Sequence, residues 1–237
     1  MKLYISNVYA VTNGLSNQDD FCLWDGNMAS LSGDVSIDTK SIPPMLRRRC
    51  SFASKIALAT SLPLLDKADI KAGVFCSQHG ELANTVDIFQ NLADTEILSP
   101  NKFSQCVHNT ASGLLSVHKK LTIPFNSIAA GQETFQMALI DASVQLSQYP
   151  EVLFTAFDDI IPSVYNGHSV LDNLAYGVSF IISRESINDT SIALDVSISS
   201  GEKYSKISIP TALHFAHWFY TAKTDVLNLP MLKIQRL

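Results

Sequence analysis

The sequence predicts an α/β layered domain with a mostly parallel sheet. Three observations carry that prediction. Short apolar runs alternate with segments of helical periodicity over most of the chain. Glycine or proline marks several of the junctions between them. The 237 residues, 46% of them apolar, suffice for one sizeable core.

The elements follow in order. Leu3 to Val11 reads as a strand. Arg47 to Leu62 reads as a helix, with Phe52, Ile56 and Ala59 on one face. Ala72 to Cys76 is a short apolar strand. Leu82, Val86, Phe89 and Ala93 define the next helix. After a Ser99-Pro100 turn, Val107, Ala111, Leu114, Leu115 and His118 form another helical stripe. Asn126 to Ala130 is a strand, Gly131 a turn, and Phe135, Ala138, Leu139, Ala142 and Leu146 mark an amphipathic helix. Val152 to Ala156 is a strand of buried type. Tyr176 to Ile182 and Ile192 to Ile198 are two more strands, and their short connection permits an antiparallel return. Thr211 to Thr221 is a final helix. Pro150 and Pro210 are element breaks, since each stops a periodic segment.

Charged residues make up 16% of the chain, against a usual level of about 25%. A surface so short of charge suits a subunit interface, because interface cores are depleted in Lys, Glu and Asp. The net charge of −5 argues against nucleic acid as a partner. No apolar run reaches membrane-span length, and the first residues, Met1 to Asn7, are too polar for a signal peptide. Four widely spaced cysteines read as reduced thiols, which predicts a cytoplasmic protein.

Chemistry can sit at the strand–Gly131–Gln132–helix junction. A residue there meets open backbone N–H groups and the positive end of a helix, which favour an anion or a thiolate. The residue is a glutamine, and an amide has no ionisable proton. Cys76 is the alternative nucleophile, three residues before His79 at a strand end; it serves equally as a small buried apolar residue. Cys106 and His108 are two apart, a spacing that points side chains away from each other on a helix. His214 and His217 share a helical face, but no acidic residue or cysteine lies nearby to complete a metal site, so none is expected. Arg47, Arg48, Arg49 and Lys55 form a basic run read as a solvated or ion-paired face. Asp158-Asp159 can bind a cation or simply end a strand. Ser116-Val117-His118-Lys119 matches S-x-x-K without its companion motifs. No G-x-G-x-x-G, P-loop or G-x-S-x-G motif occurs, and no cofactor is expected.

Several segments together resemble the N-terminal half of a β-ketoacyl synthase of the thiolase superfamily. Arg48-Arg49-Cys50-Ser51-Phe52-Ala53-Ser54-Lys55 is similar to the family's early Arg-rich helix, and Phe75-Cys76-Ser77-Gln78-His79-Gly80 to the strand that follows. The stretch from Ser99-Pro100 through Phe103 to Asn109 and Gly113 resembles the family's S-P-x-x-F…N-x-x-x-G segment. Ser127-Ile128-Ala129-Ala130-Gly131-Gln132 falls where the family carries its nucleophile elbow. The resemblance covers about residues 45 to 185.

It implies a thiolase-like layered fold cut to about its first half (residues 1–187), with a short C-terminal strand-and-helix appendage (188–237). It places Gln132 at the position of the catalytic cysteine, and Ala130-Gly131-Gln132 is similar to chain-length factors. Those are silent subunits that pair with a ketosynthase in type II polyketide systems; the short proteins of aryl polyene clusters resemble this chain most. The two catalytic histidines of the family's second half have no counterpart after Ile187. The resemblance therefore implies no catalytic residue, a ketosynthase partner, and an interface and acyl tunnel at Phe103, Cys106, His108, Asn109, Gly113 and Gln132. Acyl carrier protein would be met through the partner. Two enzymatic alternatives stay open: a decarboxylase of malonyl carrier protein using Gln132, and a stand-alone thiol acyltransferase using Cys76.

Overall fold

The computed structural model describes residues 1–95, 98–165, 174–199 and 209–237. Eight strands form one sheet: β1 (Lys2–Thr12), β2 (Ala72–Cys76), β3 (Phe125–Ile128), β4 (Glu151–Asp158), β5 (Tyr176–Ser183), β6 (Ile192–Ile198), β7 (Val226–Leu229) and β8 (Leu232–Arg236). Their order is β3-β2-β4-β5-β1-β6-β8-β7. Helices cover both faces: α1 (Gln18–Leu23), α2 (Pro44–Arg47), α3 (Phe52–Ser61), α4 (Leu82–Thr95), α5 (Pro100–Phe103), α6 (Thr110–Lys119), α7 (Thr134–Gln145) and α8 (Thr211–Thr221).

The expected α/β layering is present, but the mostly parallel sheet is not. β2 runs parallel to β3 and to β4, while β1–β5, β4–β5, β1–β6, β6–β8 and β7–β8 are antiparallel. β5 and β6 are not a hairpin: each flanks β1 on a different side. Periodicity reports which residues are buried but not which strand is the neighbour. β1 takes the middle position, with a bulge between Ser6 and Tyr9 where Asn7 adopts φ 52°.

The two-residue period of the strands splits the core. On β4, Val152, Phe154 and Ala156 join one cluster with α7 and α8, while Leu153 and Phe157 join another with α3 and α6. On the first face Phe154 stacks on Phe180 at 4.6 Å, and Phe135 and Phe215 close in at 5.4 Å from each other.

Other differences have local causes. The single helix expected over Arg47–Leu62 is two, because the Ser51 hydroxyl accepts the Ser54 amide at 2.9 Å and starts α3 afresh. Phe52, placed on the buried face, is exposed there, and so is Phe89 on α4. The residues after Ile187, set apart by sequence as an appendage, give β6, α8, β7 and β8 to the same sheet and core. The β7–β8 hairpin escaped prediction because its turn, Pro230-Met231, lacks the usual glycine or asparagine. Met231 takes φ 66° instead.

Candidate functional site

The parallel strands β2, β3 and β4 send their carboxyl ends to one edge of the sheet, where α/β folds gather ligands. Three connections meet there: Ser77–Gly80 after β2, Ala129–Gln132 after β3, and Asp158-Asp159 ending β4. The Ser77 amide donates to the Ile128 carbonyl at 3.2 Å and joins the first two.

The β3–α7 junction is a tight elbow. Gly131 adopts φ 59°, open to glycine at little cost. Thr134 holds the turn closed: its hydroxyl accepts the Ala130 amide at 2.9 Å and donates to the Gly131 carbonyl at 2.7 Å. Gln132 lies in the 3₁₀ turn Gly131–Glu133 and its side chain is exposed. It therefore stands where the sequence places it, at the head of α7, whose first turn has no side-chain cap. An amide there can donate and accept hydrogen bonds but cannot attack a thioester.

Asp158 is the buried hub of this edge. It accepts from Ser77 Oγ (2.6 Å), the His79 amide (2.9 Å), the Gln78 amide (3.2 Å) and Tyr176 Oη (2.9 Å). Burial pushes its carboxyl above the usual range, against the pull of those donors. Asp158 thus ends a strand and fixes a loop. Its neighbour Asp159 accepts the Ile160 amide at 2.7 Å, and burial also raises it. Glu81 is a second buried acid, raised by burial, accepting from Ser54 Oγ (2.5 Å) and Asn84 Nδ2 (3.0 Å).

Cys76 is 1% exposed and points into the α7 layer; burial drives its thiol well above the ordinary range. A neutral, enclosed thiol is a poor nucleophile, so the small apolar reading accounts for this residue. Cys106 and His108 bond to different partners, and the cause is not helical spacing, because both lie in the non-helical connection 104–109. Cys106 Sγ donates to the Phe103 carbonyl at 3.0 Å, and His108 Nε2 lies 2.8 Å from the Ser77 carbonyl.

Beside this edge lies an open groove of about 560 Å³ between α2, α6 and the connection 104–109. Asn109 and Gly113, two of the anticipated interface residues, line it together with Met45, Val107, Leu114 and Val117. Met45 is 77% exposed and Val117 76%, high for apolar side chains. Phe103, 57% exposed, follows just outside on α5. The sequence reading missed Met45 and Val117. The available signal was a second stripe on α6, Thr110, Gly113 and Val117, at spacings of three and four.

The remaining candidates lie elsewhere or serve structure. His217 Nε2 donates to the Trp24 carbonyl at 3.1 Å, and burial lowers its pKa. His214 is lowered by burial and by His217. Among the described residues no three metal-binding side chains cluster. Arg47 donates to Thr39, while Arg49 lines the groove. Ser116 Oγ donates to the Leu121 carbonyl at the end of α6. No helix among the described residues is long and apolar enough to cross a membrane.

Comparison with known proteins bears on this arrangement. Residues 22–230 match the beta-ketoacyl synthase, N-terminal domain. The chain belongs to this family. No curated protein matches it. Among solved structures, the whole chain superposes on the whole of one chain in the complex of a ketosynthase (ApeO) with its chain length factor (ApeC) from Xenorhabdus doucetiae. The TM-score is 0.83 and the identity 26%. The ishigamide ketosynthase/chain length factor matches over 84% of this chain and 68% of its own, with TM-score 0.63 and 15% identity. A beta-ketoacyl synthase from Burkholderia phymatum matches over 85% and 66%, with TM-score 0.60 and 14% identity. These last two likenesses are of fold alone. The mixed sheet with helices on both faces is the thiolase-like fold of these structures, and the family match runs from α1 through β7.

Proposed function

We propose that this chain is a non-catalytic chain-length factor: a subunit that pairs with a catalytic ketosynthase and shapes the acyl tunnel where the two meet. The reading rests on an exposed amide, Gln132, at the β3–α7 elbow, the position that the resemblance gives to the nucleophilic cysteine, and on the largely apolar groove between α2, α6 and the connection 104–109. The Xenorhabdus structure supports it, being a complex of a ketosynthase with its chain length factor and containing a chain that this one matches end to end.

The physical argument is steric. A growing polyene needs a dry channel, and a groove closed by a partner supplies one. Val107, Gly113, Leu114 and Val117 would then form wall, together with the Phe103–Asn109 segment. Each added two-carbon unit must fit, and overfilling a packed interior costs about 1–3 kcal/mol. The ketosynthase does the chemistry and meets the acyl carrier protein; this acidic chain has little to attract an acidic carrier.

Co-expression with the ketosynthase of the same pathway tests this. The expected result is a stable one-to-one complex whose product length shifts when Val117→Trp narrows the groove. A chain that stays monomeric beside the ketosynthase, or a complex whose products ignore the groove, overturns the reading. Release of labelled carbon dioxide from malonyl carrier protein by the isolated chain, lost in Gln132→Ala, would instead establish a decarboxylase.

A further inference from the structure

The connection Ser104–Asn109 is one wall of the groove, yet it contains no helix or strand. Its backbone bonds are local: Gln105 to Lys102, Cys106 to Phe103, Thr110 to Val107. Among the described residues, two bonds tie it to segments other than the adjoining α5 and α6. One is long, from Asn84 Nδ2 to the Gln105 carbonyl at 3.4 Å. The other is short, between His108 Nε2 and the Ser77 carbonyl at 2.8 Å. A carbonyl only accepts, so Nε2 carries the proton.

The anchor at the far end of that bond is rigid. The Ser77 amide is tied to β3, its hydroxyl to Asp158, and the Gly80 amide to the same hydroxyl at 2.6 Å. The seat for the ring is equally specific. Gly80 adopts φ 56°, and a methyl group on it would lie 2.9 Å from His108 Cδ2. A bare backbone thus makes room for the imidazole, while Val107 and Asn109 on either side of His108 both face the groove.

We propose that His108 is a positioning residue that tethers the Ser104–Asn109 wall to the carboxyl end of β2 and so fixes the depth of the groove. The role in chain length rests on the function proposed above; the tether itself does not. His108 therefore acts from behind the wall, through its neighbours, rather than by touching the acyl chain.

Hydrogen exchange of the purified full chain tests the tether. In His108→Ala the amides of 104–109 should exchange about fivefold faster or more, with β4 unchanged. His108→Gln, which keeps an N–H able to reach the carbonyl, should remain near wild type. Gly80→Ala, which displaces the ring, should behave like His108→Ala. Wild-type exchange in both alanine variants overturns the proposal. If His108→Ala does not fold, His108→Phe, which fills the seat without a donor, against His108→Gln decides it: faster exchange only in the former supports the tether, and equal exchange overturns it. In the ketosynthase complex, His108→Ala should broaden the product lengths and His108→Gln restore them. Products unchanged in His108→Ala but shortened by Val117→Trp overturn the role in depth and leave the chain-length reading standing. Products unchanged in both, with the complex intact, overturn that reading itself.

Discussion

At Glu81 burial and hydrogen bonding oppose each other, and burial wins: the carboxyl is raised despite the Ser54 hydroxyl beside it. A carboxyl whose pKa is higher in the folded state holds its proton there after the unfolded chain has released it. Glu81, Asp158 and Asp159 all shift this way. They therefore subtract stability as pH rises from about 4, the unfolded value, through their raised folded values. Glu81→Gln removes one ionisation and should flatten the decline; urea midpoints between acid and neutral pH measure it, and parallel wild-type and variant profiles would refute it. The cysteines make a second residue-scale prediction. Iodoacetamide at pH 8 should modify Cys22, which is exposed, and spare Cys76 and Cys50 in the native chain. Burial lifts the Cys50 thiol to about 11 and Cys76 higher than its usual value. Peptide mass spectrometry reads the result: carbamidomethylation of native Cys76 would overturn it, and an acyl adduct on Cys76 after incubation with an acyl thioester would restore the thiol-enzyme alternative.

At the scale of one element, α6 carries both a buried and an open stripe. Ala111, Leu114 and Leu115 pack against α3 and the sheet, and that face was legible because its apolar spacing fits a helix. The open stripe was not legible, since Gly113 and Val117 look like ordinary surface residues without the groove around them. Gly113 shows the difference. It lies inside a helix, where glycine costs about 1 kcal/mol relative to alanine. Among the described residues beyond its own turn of helix, nothing comes within 4 Å of a Cβ added there. Gly113→Ala should therefore stabilise the isolated chain by about 0.5–1 kcal/mol in chemical denaturation. The same methyl group should weaken a ketosynthase complex by about 1–3 kcal/mol through overpacking. Val117→Asp should abolish pairing and leave stability near wild type, because the side chain is mostly solvent-facing already. A Gly113→Ala chain that pairs as tightly as wild type would remove Gly113 from the contact.

On the scale of the whole molecule, sequence gave the strands and helices that bury continuous apolar runs, and Gln132 could be placed because a strand, a glycine and a helix adjoin it in sequence. Strand order could not be read, because β1 meets β5 and β6 only through the fold. Nor could the hub at Asp158, whose donors Ser77 and Tyr176 come from two other segments. The end of the chain shows best how tertiary context decides. Arg236 donates to the Phe219 carbonyl at 2.7 Å and lies over the Trp218 ring at 4.6 Å, closing the carboxyl end of α8. Leu227, Leu229, Leu232 and Ile234 of the β7–β8 hairpin are fully or nearly buried in the cluster that holds Phe215 and Trp218. Burying four such side chains is worth about 6–12 kcal/mol. That matches the whole stability of a typical domain, about 5–15 kcal/mol. The last dozen residues are thus part of the core rather than a tail. A chain ending at Asp225 should fail to fold cooperatively, bind a hydrophobic dye and lose protection along β1, even though the elbow and the groove lie elsewhere. A truncated chain with a sharp thermal transition near that of the full chain would show instead that the β1–β5 portion of the sheet is closed without the hairpin.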